Sequence, residues 1–285
     1  MPTHRRRTLL IDIAWLMRLP NCLAAAAATV VGAYLVGGAG SLGAGLVLRA
    51  SMAAAFIHAA GNVFNDLMDM HTDLLNRPSR PLPSGRISVG AATALTAITG
   101  AAGLALAVST GPALAGLAAI LAVLALGYSY SLKVSILLGN ATVAFLASST
   151  IPYGALAAGG LNEAVAVASG LTFLYMLAFE VLKSIQDWEG DAASGLRTVA
   201  GLGRRRSLRV FQLIAGTFAV GAVSPWLTGF ASSRYLLAVV VGAVIPLLGV
   251  AVLLDRHATA WSINISCGVT KAAWPLGLLA MVLLR

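Results

Sequence analysis

The chain has 285 residues, 59% of them hydrophobic and 10% charged, with a mean hydropathy of +0.88 and a formal net charge of +9. A soluble domain carries about 25% charged residues, so composition places this chain in a bilayer, and the absence of strand-like alternation excludes a β-barrel. The basic residues lie mostly in joints between apolar runs, a pattern explained by membrane topology and not by nucleic-acid binding.

A membrane helix needs roughly 20 apolar residues. Nine runs qualify, over residues 10–36, 45–68, 90–108, 112–128, 136–158, 164–186, 207–229, 234–254 and 262–284. The basic start, Met1 to Arg7, superficially resembles a signal peptide. Asp12 and Arg18 interrupt the apolar run behind it and no polar domain follows, so the run is expected to stay as the first helix. Turn chemistry punctuates the joints, most densely in Arg77-Pro78-Ser79-Arg80-Pro81-Leu82-Pro83-Ser84-Gly85. Cys22 and Cys267 fall inside apolar runs with no framework spacing, which argues against both a disulfide scaffold and a cysteine metal site. With the N-terminus inside, thirteen Lys and Arg residues fall on the inner side and three on the outer. That asymmetry puts the N-terminus in the cytoplasm and the C-terminus outside.

Seven of the ten acidic residues occupy two short stretches on the cytoplasmic side. The first holds Asn65, Asp66, Asp69 and Asp73 at the end of the second run; the second holds Glu180, Asp187, Glu189 and Asp191 at the end of the sixth. Asp69 to Asp187 and Asp73 to Asp191 each span 118 residues, as a duplicated four-helix unit followed by a ninth helix would produce. Spacings of four put Asn65, Asp69 and Asp73 on one helical face, and Lys183, Asp187 and Asp191 on another. Carboxylates this dense repel one another unless positive charge lies between them, and apolar surroundings do not tolerate them unpaired. Hard oxygen donors in this pattern suit Mg²⁺, which fills its octahedron with water and substrate phosphate. The expected metal ligands are Asn65, Asp66, Asp69, Asp73, Asp187 and Asp191. Arg77 and Arg80 follow the first ladder, Lys133 follows the fourth run and Lys183 lies within the second ladder, all suited to phosphate oxygens. A lysine inside a span is costly without a partner, so Lys183 is expected to pair with Glu180 or to act on substrate. Arg18 is also within a run; Asp12, six residues away, is on the wrong face, so its partner is expected on another helix or on the substrate. His58 and Asn62 continue the first stripe inward.

These residues resemble the UbiA superfamily of intramembrane prenyltransferases. The matching blocks are Asn65-Asp66-x-x-Asp69-x-x-x-Asp73, Asn76-Arg77-Pro78-x-Arg80-Pro81-x-Pro83-x-Gly85, Tyr128-Ser129 with Leu132-Lys133, Gly139-Asn140, and Lys183-x-x-x-Asp187-x-x-x-Asp191 with Gly195 and Thr198. The resemblance implies an all-α polytopic membrane protein, one domain over 1–285, with nine transmembrane helices around a central cavity and cytoplasmic cap loops near 69–89 and 187–206. It implies Mg²⁺-bound diphosphate, a polyprenyl diphosphate donor and a lipophilic acceptor. Catalytic roles then fall to Asp69, Asp73, Asp187, Asp191, Lys183 and Tyr128, whose ring would face the allylic cation. Substrate contacts fall to Arg18, Asn21, Asn62, Arg77, Arg80, Lys133 and Glu180. The second motif is similar to that of the digeranylgeranylglyceryl phosphate synthase and chlorophyll synthase branch, although Phe179 stands where that branch usually has arginine. Four outcomes stay open: an isoprenyl glycerol phosphate acceptor, an aromatic or quinone precursor, a dedicated natural-product core, and a cyclase with no external acceptor.

Intramembrane charge in a repeated architecture also fits a secondary transporter, but such sites tend toward the midplane and these acids lie at one membrane face. Gly38-Ala39-Gly40-Ser41-Leu42-Gly43 matches a dinucleotide motif by letter, without the preceding strand the motif needs. Lys271, deep in the last run, is unexplained by this scheme, and two roles stay open for it: pairing with an acid or shaping the acceptor pocket.

Overall fold

The computed structural model describes residues 2–130, 136–188 and 198–285, and within them all regular structure is helical. Helices α1 (Pro2–Leu16), α2 (Leu19–Gly37), α3 (Gly45–Met68), α4 (Met70–Asn76), α5 (Val89–Val108) and α6 (Pro112–Tyr130) form the first half. Then come α7 (Leu138–Ser148), α8 (Thr150–Ala157), α9 (Glu163–Gln186), α10 (Arg204–Leu227), α11 (Ser233–Val239), α12 (Ile245–Arg256) and α13 (Ala260–Met281). A π-helical turn, Val240–Val244, joins α11 to α12 into one span. Eight helices among the described residues are long and apolar enough to cross a membrane.

The expected fifth span, over 136–158, is broken into α7 and α8 at Ser149. Pro152 has no N–H for the carbonyl four residues back, and that residue, Ser148, is the last of α7. The expected first span is broken by the same device. Pro20 stands four residues after Leu16, where α1 ends, and the chain turns through Met17 and Arg18 before α2 begins. Arg18 has φ 52, the one positive value at a non-glycine residue among those described. A left-handed arginine is strained by about 1–3 kcal/mol, so its surroundings must hold it there.

Small residues set the helix packing, as in membrane bundles generally, where association depends on close van der Waals contact. α2 lies on α8 so tightly that a Cβ built on Gly32 would come 1.9 Å from the Ile151 carbonyl oxygen, and one on Gly154 would come 1.7 Å from that of Thr29. α9 carries the main core, where Ala168, Leu171, Tyr175, Val181 and Leu182 meet Phe211, Ala215 and Phe218 of α10. A smaller cluster, Leu16, Val63, Leu82, Ile87 and Ala92, lies under the loop between α4 and α5 and fastens it to α1 and α3.

The two acid-bearing helices match element for element. α3 and α9 each have 24 residues, displaced by 118 in sequence, and each ends at an aspartate: Asp69 with φ −87, ψ 3 and Asp187 with φ −88, ψ 4. Gly154→Val is expected to destabilise the bundle by about 1–3 kcal/mol or more, the usual cost of overpacking. Gly116→Ala, at a position with open space around it, is expected to be neutral or slightly stabilising. Unfolding in detergent, followed by circular dichroism, checks both.

Candidate active site

The first ladder does not continue as one straight helix. α3 stops at Asp69, and α4 starts at the next residue, bent from it. The four-residue backbone steps nevertheless persist: the Asp69 N–H donates to the Asn65 carbonyl at 2.9 Å, Asp73 to Asp69 at 2.8 Å and Arg77 to Asp73 at 2.9 Å. The bend divides the ladder between two sets of partners. Asn65 Nδ2 donates to Asp69 Oδ2 at 2.8 Å, and the Ser129 hydroxyl approaches Asn65 Oδ1 at 3.5 Å, which sets the end of α6 beside this pair. Asp66 and Asp73 are taken up by arginines.

Asp66 and Asp73 are 4% and 5% exposed. Arg80 reaches both, with Nη1 2.6 Å from Asp73 Oδ2 and 3.3 Å from Asp66 Oδ1. Arg18 Nη2 lies 2.5 Å from the same Asp66 oxygen. The left-handed turn at Arg18 is thus stabilised by an ion pair to α3, and Asn62 Nδ2 holds the free carbonyl of Met17 at 3.0 Å. Burial pushes the Asp73 carboxyl above its ordinary range, opposed by Arg80 and reinforced by Asp66 and Asp69.

One contact joins the two ladders. Arg77, in the loop after the first, is ion-paired with Asp187 at the end of α9. On α9, Lys183 Nζ lies 3.2 Å from both oxygens of the buried Glu180, and Asn140 at the start of α7 donates to the Ser184 hydroxyl at 2.8 Å. Gln186 donates to Asn264 of α13 at 2.7 Å. On the other flank Arg86 donates to Asp12 at 3.0 Å and to the Ser79 carbonyl at 2.9 Å, with its guanidinium 5.7 Å from the Trp15 ring centre. The proline loop is therefore tied to α1 at one end and to α9 at the other.

Residues 25–267 match the model of the UbiA prenyltransferase family. The digeranylgeranylglyceryl phosphate synthase of Methanopyrus kandleri is 38% identical over 270 residues, covering 94% of this chain and 96% of the relative. The chain belongs to the UbiA prenyltransferase family. Among solved structures, one of a digeranylgeranylglyceryl phosphate synthase in membranes superimposes with a TM-score of 0.73 at 24% identity, over 96% of this chain and 98% of that one. A UbiA homolog from Archaeoglobus fulgidus bound to GPP and Mg²⁺ gives 0.69 at 16% identity, over 95% and 99%. At these identities the structural matches establish the fold. Family and relatives together make the chain a membrane-embedded prenyltransferase.

In this UbiA prenyltransferase the expected site residues pair in four groups at the ends of α3 and α9: Asn65 with Asp69, Arg18 and Arg80 with Asp66 and Asp73, Lys183 with Glu180, and Arg77 with Asp187, the last bridging the two ladders. Tyr128 is half-buried, next to the Ser129 that meets Asn65, and Asn21 is half-buried in the first turn of α2. Asn62 is nearby with its amide committed to Met17. Asp191 and Lys133 lie outside the described residues, as do residues 189–197 of the expected second cap loop. Among the described residues no three His, Cys, Asp or Glu side chains converge on one point; Asp66, Asp73 and Asp187 are paired with arginines. The oxygen-only donor set of carboxylates and one amide still fits Mg²⁺, which needs few protein ligands. The pairings of Arg86 with Asp12 and of Asn264 with Gln186 have no local sequence signal, because the partners lie 74 and 78 residues away.

Arg80→Met is expected to cost about 3–5 kcal/mol of stability, since it leaves a buried carboxylate without its charge partner. Adding Asp73→Asn should recover part of it, with a coupling of about 0.5–3 kcal/mol in a double-mutant cycle of unfolding in detergent.

Proposed function

We propose that the chain transfers a geranylgeranyl group from its allylic diphosphate to the free hydroxyl of a geranylgeranylglyceryl phosphate. The Arg77–Asp187 contact carries the site assignment, because it brings the two acid-bearing helix ends to one place. The acceptor rests on the near full-length similarity to the synthase of Methanopyrus kandleri, whose product name states the chemistry.

In the reaction the C1–O bond of the donor breaks and diphosphate departs with the electron pair. The acceptor oxygen bonds to C1 and its proton is lost, leaving an ether. Asn65, Asp66, Asp69 and Asp73 on one side and Asp187 on the other would hold magnesium with the diphosphate, with Asp191 as a further ligand from the family motif. Bound there, the metal supplies positive charge to the leaving group. Arg77, Arg80 and Lys183 now balance Asp187, Asp66 with Asp73, and Glu180. When anionic substrate arrives, these cations can turn to the phosphate oxygens, where negative charge grows in the transition state. The Tyr128 ring suits the allylic cation. Apolar helices around the site keep out water that would quench it. The distribution of Lys and Arg supports a site that faces the cytoplasm.

Purified protein given labelled geranylgeranyl diphosphate, geranylgeranylglyceryl phosphate and Mg²⁺ is expected to form digeranylgeranylglyceryl phosphate. EDTA and Asp187→Ala should each lower turnover on the order of 100-fold or more. A fully active Asp187→Ala enzyme overturns the shared site. Turnover confined to aromatic acceptors, or cyclised hydrocarbon formed without any acceptor, overturns the acceptor assignment.

A further inference from the structure

Lys271 sits in the middle of α13, an apolar helix of membrane-spanning length. It is exposed and has no hydrogen-bond or ion-pair partner among the described residues. An intramembrane lysine without a counter-charge is costly, and such residues mark functional sites by default.

Its surroundings give the lysine a direction. Asn264, Gly268 and Lys271 succeed one another along the edge of the exposed face of α13, with Ser266, Cys267 and Thr270 on the buried side. The Gln186–Asn264 hydrogen bond sets the N-terminal end of this edge against the acid-bearing end of α9. Helical side chains lean toward the helix N-terminus, so the Lys271 ammonium leans toward that end of α9. Gly268, one turn nearer, has nothing within 4 Å of where a Cβ would stand, and the path is open. Cys267 lies within electrostatic reach of Asp187, Lys183, Glu180 and Arg77, and Lys271 is four residues further, about 6 Å along the axis at 1.5 Å per residue. Pro275 has no N–H for the Lys271 carbonyl, so an amide acceptor short of its helical donor stands at the same level.

We propose that Lys271 binds the phosphate of the lipid acceptor, making it the residue that selects a phosphate-bearing acceptor over a neutral one. This rests on the acceptor reading above. The reaction brings two anionic groups to one cavity. The donor diphosphate has Arg77, Arg80 and Lys183 at the membrane face. The acceptor phosphate needs a cation of its own, and Lys271 is a cation that no carboxylate occupies among the described residues. A phosphate monoester would give the lysine its missing counter-charge, and the free Lys271 carbonyl suits a hydroxyl donor such as glycerol.

The test compares kcat/KM for geranylgeranylglyceryl phosphate with that for geranylgeranylglycerol, at saturating geranylgeranyl diphosphate, in wild type, Lys271→Met and Lys271→Arg. The wild type should prefer the phosphate. Lys271→Met should lower that preference roughly tenfold through KM, the order expected for one charge-assisted hydrogen bond, and Lys271→Arg should restore most of it. An unchanged preference in Lys271→Met overturns the proposal and leaves a lipid-facing lysine. An equal rise in the KM for the donor overturns it in favour of a diphosphate contact. If Lys271→Met does not accumulate, Lys271→Gln takes the same comparison. A wild type that does not prenylate the phosphate acceptor at all overturns the acceptor reading, and the selectivity claim with it.

Discussion

Negative charge inside an apolar bundle has to be met, and the end of this protein that carries both acid clusters is organised around meeting it. Asp66, Asp73 and Glu180 are nearly inaccessible to solvent. Each has a cation within ion-pairing distance, and each cation comes from a different stretch of chain: Arg18 from the break before α2, Arg80 from the proline loop, Lys183 from α9 itself. Paired buried charges of this kind add little net stability but are very costly to leave half-made. They therefore act as geometric constraints. The loop after α4 can lie in few other positions while Arg80 serves two carboxylates and Arg77 reaches α9.

The same constraint accounts for the oddities of the backbone. A left-handed arginine at the start of the first long membrane helix is explicable only because Asp66 receives it. The helix break that permits this comes from Pro20, and Asn62 takes up the carbonyl it exposes. At the ends of α3 and α9 the chain turns at an aspartate with the same dihedrals, so each half sets an aspartate at the break that ends its long helix. Carboxylates there can exchange partners without unfolding a span. On the proposed function that exchange has a use, since the arginines that neutralise the acids at rest would then receive phosphate oxygens.

Close packing of small residues fixes the scaffold behind the site. α2 and α8 touch backbone to backbone through Gly32 and Gly154, and α9, the most buried of the long helices, ties the second acid cluster to α7, α10 and α13. Asn140 and Asn264, reaching α9 from either side, hold its last two turns by side-chain hydrogen bonds. The orientation of Lys183 and Asp187 is thus set from outside their own helix.

Much of this was legible in the residues alone. Long apolar runs dictate membrane helices, because backbone amides in lipid must bond within their own segment. Clustered acids at spacings of four dictate a polar site at one membrane face, and their 118-residue displacement foretells the matched α3 and α9. Local sequence also held the helix breaks at Pro20 and Pro152, although hydropathy read across both, since a proline does not lower the apolar character of a run. What required the tertiary structure was partnership. Whether Arg77 faces Asp187 or solvent, and whether Arg18 finds Asp66, depend on contacts between segments tens to a hundred residues apart. Such contacts are fixed by how helices pack, and no periodicity within a single helix encodes them.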